Sequence, residues 1–137
     1  MNFASLRAGR AATICMIAAV AGMLFGGCSG EGARAARVNP PRAREALRTA
    51  LESWKKGEPP SALKSASPAI VIQDFEWQAG QKLVGYEVTS DGSDDDANLR
   101  IPVRLMLRDP GGREVQKEVV YVVGTSPVLT VFREMFR

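Results

Sequence analysis

Residues Asn98–Gly124 read "NLRIPVRLMLRDPGGREVQKEVVYVVG". Leu99, Ile101, Val103, Leu105 and Leu107 alternate with Arg100, Pro102, Arg104, Met106 and Arg108. A period of two marks a half-buried strand, here with one aliphatic face and one mostly basic face. Asp109-Pro110-Gly111-Gly112 is turn chemistry, so residues 113–124 return as an antiparallel partner. A strict four-residue loop would pair Arg108 with Arg113 and Leu105 with Gln116, setting like charges opposite each other and leucine beside a polar group. A three-residue loop ending at Gly112 pairs Leu105 with Val115, Ile101 with Val119 and Leu99 with Tyr121. On the other face it sets Met106 beside Glu114 and Arg104 beside Gln116, with Glu118 diagonal to Arg104. A one-residue slip turns every side chain to the wrong face, so the second register is expected. It leaves Lys117 on the apolar side, where the amine must sit at an edge or extend to water.

The same period runs on either side of this hairpin. From Ala69 onward it predicts five strands, at about 69–77, 82–90, 98–108, 113–124 and 127–133. No helical stretch intervenes, so neighbours in sequence are expected to be antiparallel neighbours in space. Before them, "NPPRAREALRTALESWKKG" has the period of a helix. Asn39 is an N-cap, Pro40 suits the first turn, and Gly57 supplies the stop. Ala43, Leu47, Ala50, Leu51 and Trp54 share one face. The expected fold is therefore α+β, with one N-terminal helix packed on a roughly five-stranded antiparallel meander. In order of elements, residues 40–135 resemble cystatin-like and nuclear-transport-factor-like rolls. That resemblance implies a concave apolar space between helix and sheet. Trp54, Trp77, Tyr86 and Tyr121 would line it as a small-ligand pocket or fill it as core.

The 137-residue chain has 18 basic and 15 acidic residues and a net charge of +3. Removing Arg7 and Arg10, which precede an uncharged run, leaves sixteen against fifteen, so no nucleic-acid footprint is read from the charge. There is no histidine, which excludes histidine acid–base catalysis and histidine metal ligands. The two cysteines are Cys15 and Cys28, and none follows them. No Gly-rich phosphate loop and no serine nucleophile elbow is present. The chain is read as a non-enzyme that needs no cofactor.

Ala11–Phe25, "AATICMIAAVAGMLF", is uncharged and mostly apolar, and Gly26, Gly27 and Cys28 follow it. Basic residues, an apolar run and small residues, in that order, form a secretory signal. Phe25-Gly26-Gly27-Cys28 resembles the lipobox of bacterial lipoproteins, with Phe25 where that family prefers leucine. The resemblance implies a diacylglyceryl group on the Cys28 thiol and cleavage before Cys28. It divides the chain into a signal peptide at 1–27, a lipidated cysteine and flexible tether at 28–39, and one domain at 40–137. The alternatives are an uncleaved membrane anchor and an ordinary secreted protein. All three place the domain outside the cytoplasm, and the lipoprotein reading puts it in the cell envelope with a membrane and an envelope protein as partners.

Arg100, Arg104 and Arg108 form a basic row that is a candidate anion site or a solvated face. Asp91, Asp94, Asp95 and Asp96 share one loop, but their spacing lacks the alternation and closing glutamate of an EF-hand. Asp74 and Glu76 lie two apart on the first expected strand, so they should share its polar outer face, with Phe75 and Trp77 turned to the core. Val120 and Val122 fall on the nominal outer face, where valines suggest a patch covered by a partner or by the Ala69–Ile72 segment. The reading that follows is a lipid-anchored, non-enzymatic module that binds a protein. The alternative is a small-ligand pocket protein of the same fold.

Overall fold

The computed structural model describes residues 36–135. The lipobox, Cys28 and most of the tether lie outside the described residues. Helix α1 (Pro40–Lys55) starts where expected: the Asn39 side chain accepts from the Arg42 N–H at 3.1 Å, and two prolines open the first turn. Gly57, at φ +83°, ends it. Its buried stripe is Ala43, Ala46, Leu47, Ala50, Leu51 and Trp54. Val38 is already buried two residues before the helix, and its N–H donates to the Asp96 carbonyl at 3.1 Å. A 3-10 turn (Pro60–Ser65) then leads into the strands.

The strands are β1 (Ile70–Gln73), β2 (Lys82–Val88), β3 (Ser93–Asp95), β4 (Asn98–Arg108), β5 (Glu114–Gly124) and β6 (Leu129–Arg133). They form one sheet in the order β1-β6-β5-β4-β2, with β3 paired to the far end of β4. The alternation read in β4 is realised: Leu99, Ile101, Val103, Leu105 and Leu107 are all at most 1% exposed. Burial of each such side chain contributes roughly 1.5–3 kcal/mol. Pro102, which has no N–H to give, sits where β2 has ended and β3 has not begun, so no ladder bond is lost.

Three expectations are corrected. First, the sheet is mixed. β1 runs parallel to β6, with Ile70 opposite Leu129 and Ile72 opposite Val131, and lies at the edge away from β2. A period of two shows that a strand exists and which side chains are inward. It does not choose the neighbour, and Ile70 and Ile72 are satisfied beside the inward residues of β6. Second, the first strand stops at Gln73. The Asp74 side chain accepts from the N–H groups of Glu76 and Trp77 at 2.9 and 3.1 Å, capping a one-turn helix α2 (Phe75–Gln78). Gly80, at φ +86°, ends that turn. Third, the β4–β5 register differs by two residues from the expected one. Leu105 faces Lys117, Ile101 faces Tyr121 and Leu99 faces Val123. A two-residue shift keeps every inward side chain inward, so the faces are as expected while the partners differ. The turn shows why: Asp109 pairs with Arg113 and holds it through both backbone and side chain, and Gly112, at φ +86°, makes the bend.

The core lies between the inward face of the sheet and α1, with α2 closing one end. Trp54 and Trp77 stack with ring centroids 5.3 Å apart and 8° between planes. Each indole N–H is satisfied by a carbonyl, that of Gln81 for Trp54 and that of Glu58 for Trp77. Among the described residues no helix is long and apolar enough to cross a membrane.

Candidate functional site: an uncovered sheet face and a buried ionic cluster

Among the described residues no helix covers the outer face of the sheet. At its β2 side, β4 presents Arg100, Arg104 and Arg108 in a row, as the alternation requires. Each arginine meets carboxylates. Arg100 pairs with Glu134 at 2.5 Å and lies 4.0 Å from Asp95. Arg104 bridges Glu87 at 2.8 Å and Glu118 at 3.1 Å, one from each neighbouring strand. Arg108 meets Glu114 at 2.5 Å. The observed register is what supplies these partners, because it sets Glu114 and Glu118 directly opposite Arg108 and Arg104. The row is thus a ladder of cross-strand ion pairs, and an anion approaching it would have to displace a carboxylate at every step.

Towards β1 the same face becomes apolar. Val122 lies opposite Phe132 on β6 and Arg100 on β4, and Val120 lies opposite Pro102. Phe132 is 37% exposed and Val71 on β1 is 40% exposed. Val71, Phe132, Val122, Val120 and Pro102 form a strip across four strands, with Thr130 opposite Val71, Gln73 opposite Phe132 and the Arg100–Glu134 pair at its border. The Ala69–Ile72 segment does not cover it: β1 continues the sheet in plane and adds Val71 to the strip.

The inward face holds a cluster that sequence reasoning placed on the surface. Asp74 and Glu76 are 1% and 6% exposed, whereas Phe75, expected in the core, is 42% exposed. The turn of α2 causes this reversal, since a helical turn does not alternate sides as a strand does. Besides capping α2, Asp74 accepts a hydrogen bond from the Tyr121 hydroxyl at 2.7 Å and lies 3.7 Å from Arg133. Glu76 takes one charged partner on each oxygen, Lys117 on Oε1 and Arg133 on Oε2. Lys117, the misfit of the apolar face, therefore ends on a carboxylate. The Arg133 guanidinium also lies over the Phe75 ring, 5.0 Å from its centroid. Burial alone would raise the Glu76 carboxyl, but the hydrogen bonds and charges of Lys117 and Arg133 outweigh it and hold the group below its ordinary value of 4.5. Burial, then the adjacent Asp74 charge, pushes the Tyr121 hydroxyl far above its ordinary value. Glu76 has a cation on each oxygen, and both oxygens of Asp74 accept hydrogen bonds, so the pair ties α2 to β5 and β6. The signal that would have found them is Asp74 with Gly80 six residues on, a cap and a stop around one turn.

Asp94 and Asp95 lie on β3, and Asp96 turns the chain at φ +53°. Among the described residues no three acidic, histidine or cysteine side chains gather as a metal site. Of the aromatics expected around a pocket, Trp54, Trp77 and Tyr121 are packed in the core at 5% exposure or less. Only Tyr86 stands at its margin, where its hydroxyl donates to Glu52 at 2.7 Å.

With this geometry in hand, no known protein family, curated protein or solved structure matches the chain.

Proposed function

We propose that this chain is a non-catalytic binding module, tethered to the extracytoplasmic side of a membrane through a lipid on Cys28, that docks an envelope protein on the uncovered face of its sheet. The observation carrying the docking surface is the strip of Val71, Phe132, Val122, Val120 and Pro102. Two of its members are more than a third exposed, and it lies beside a ladder of paired charges. An apolar centre with a charged rim is the anatomy of a protein-binding surface. The ladder gives register to a partner, since its ion pairs can exchange with charges across the interface. The tether and lipid rest on the order of Arg7 and Arg10, the apolar run and Gly26-Gly27-Cys28.

Two measurements test the two halves separately. Intact mass of membrane-fraction protein should show a chain beginning at Cys28 with a lipid adduct; retention of residues 1–27 or a bare cysteine would overturn the anchor. A photocrosslinker at Val122 should yield one discrete adduct in cells, while the same group at Arg108 should not. The adduct should vanish in Val120→Asp. A Val122 adduct that persists in Val120→Asp, or equal labelling at both positions, would remove the docking face.

A further inference from the structure

The arginine row on β4 is neutralised, but the three arginines of α1, Arg42, Arg44 and Arg48, form no ion pair among the described residues. Arg44 and Arg48 stand one turn apart. Arg44 gives its Nε–H to the Asp91 backbone carbonyl at 3.0 Å, which holds the guanidinium in place and leaves its terminal nitrogens available. Glu52, the acid one turn beyond Arg48, is occupied by the Tyr86 hydroxyl.

These two cations flank an apolar cavity of about 250 Å³ between α1 and β2, lined by Arg44, Leu47, Arg48, Tyr86, Val88 and Ile101. Leu47 and Ile101 are at most 1% exposed and form its floor. Val88 and the Tyr86 ring form its wall, and Val88 is 43% exposed although it points to the α1 side of the sheet. The space exceeds the ~150 Å³ in which an apolar cavity takes up benzene, and falls short of the ~300 Å³ at which sites for drug-sized ligands begin. A single alkyl tail fits that range and would cover Val88. Guanidinium groups at the mouth suit a carboxylate or phosphate head, to which arginine binds through two parallel hydrogen bonds.

We infer that this cavity binds a single-chain anionic amphiphile, with its tail on Leu47, Tyr86, Val88 and Ile101 and its head between Arg44 and Arg48. The site is on the opposite side of the sheet from the docking strip and depends on neither the strip nor the lipid anchor. The test is calorimetric titration of the full chain with four probes of one tail length: decanoate, decyl phosphate, decyl maltoside and decyltrimethylammonium. Saturable 1:1 binding of decanoate or decyl phosphate is expected, with at least tenfold weaker binding of the neutral and cationic probes. The preferred anion distinguishes a fatty acid from a phosphate-headed lipid. Arg48→Gln and Arg44→Gln should each weaken the anion by roughly tenfold or more, as loss of a charge-assisted hydrogen bond requires. Val88→Trp, at an exposed position, should close the mouth and abolish binding while leaving the urea midpoint unchanged. Equal affinity for all four probes, or anion binding that survives all three variants, would overturn the inference and assign uptake to another part of the chain.

Discussion

Replacing Asp74 with alanine should be the most damaging single truncation among the carboxylates of the described residues. The side chain does two structural jobs. Its Oδ1 caps α2 through the N–H groups of Glu76 and Trp77, and its Oδ2 is the acceptor for the fully buried Tyr121 hydroxyl. Loss of the cap costs about 1 kcal/mol. A buried hydroxyl left without an acceptor costs about 1–3 kcal/mol. Arg133 keeps Glu76, so no further penalty for an isolated charge is expected. The sum is about 2–4 kcal/mol, a large part of the ~5–15 kcal/mol that holds a small domain folded. For about 100 residues, 3 kcal/mol lowers the melting temperature by roughly 12–24 °C. Urea unfolding followed by tryptophan fluorescence is the natural assay, because the two tryptophans stack on each other beside this cap. Adding Tyr121→Phe removes the orphaned hydroxyl, so the double variant should be more stable than the sum of single losses implies, by about 1–2 kcal/mol. A loss under about 1 kcal/mol in Asp74→Ala, or strict additivity with Tyr121→Phe, would refute the account of the cluster.

The Glu76 carboxyl is held below 4.5 in the folded chain, so its contribution is present above its ordinary value and is lost as pH falls through the lower folded value. Glu76→Gln should therefore flatten the acid side of a plot of urea midpoint against pH and leave the neutral-to-alkaline side parallel to the parent. Tyr86 is pushed up to about 12 by burial and by the hydrogen bond and charge of Glu52. Its contribution is complete below the ordinary value of 10 and is lost as pH rises through 12, and Tyr86→Phe should remove that alkaline loss from an ultraviolet tyrosinate titration run beside urea melts. Gly92, at φ +90°, would place a Cβ 2.8 Å from the Arg100 carbonyl oxygen, whereas Gly57, at φ +83°, has open space. Gly57→Ala should cost about 1 kcal/mol from backbone strain alone, and Gly92→Ala clearly more; equal thermal shifts would contradict the packing at Gly92.

Where a side chain's own period decides the outcome, the sequence was enough. β4 has the bounds that its alternation predicts, and α1 runs from its proline start almost to its glycine stop. The apolar face of β5 was legible too, including the awkward Lys117. Two kinds of information were not. Neighbours are chosen by the whole chain: nothing in Ile70–Gln73 says that β6, 59 residues on, will be its partner in place of β2. Short-range chemistry can also break a period. Asp74 converts a strand-like stretch into a cap and one turn, which buries two carboxylates and exposes Phe75. The arginine row was legible as a row. Its neutralisation depends on the register, so its glutamate partners came only with the fold. Val120 and Val122 stood out because they break the alternation of polar residues. The strip they belong to needed Phe132 and Val71, which only the sheet order brings alongside.

The pairing of β1 with β6 also governs when this domain can exist. Ile70 opposite Leu129 is a contact of long sequence separation, and such contacts must close a large loop before any stabilisation is gained. At a synthesis rate of about 5–20 residues per second, β1 emerges roughly 3–12 s before β6, its strand partner among the described residues, is made. During that interval Ile70 and Ile72 lack the inward residues of β6 that they pack beside in the finished sheet. The sheet cannot close at its β1 edge until β6 has been made, so closure of that edge is a late event in the synthesis of the described residues.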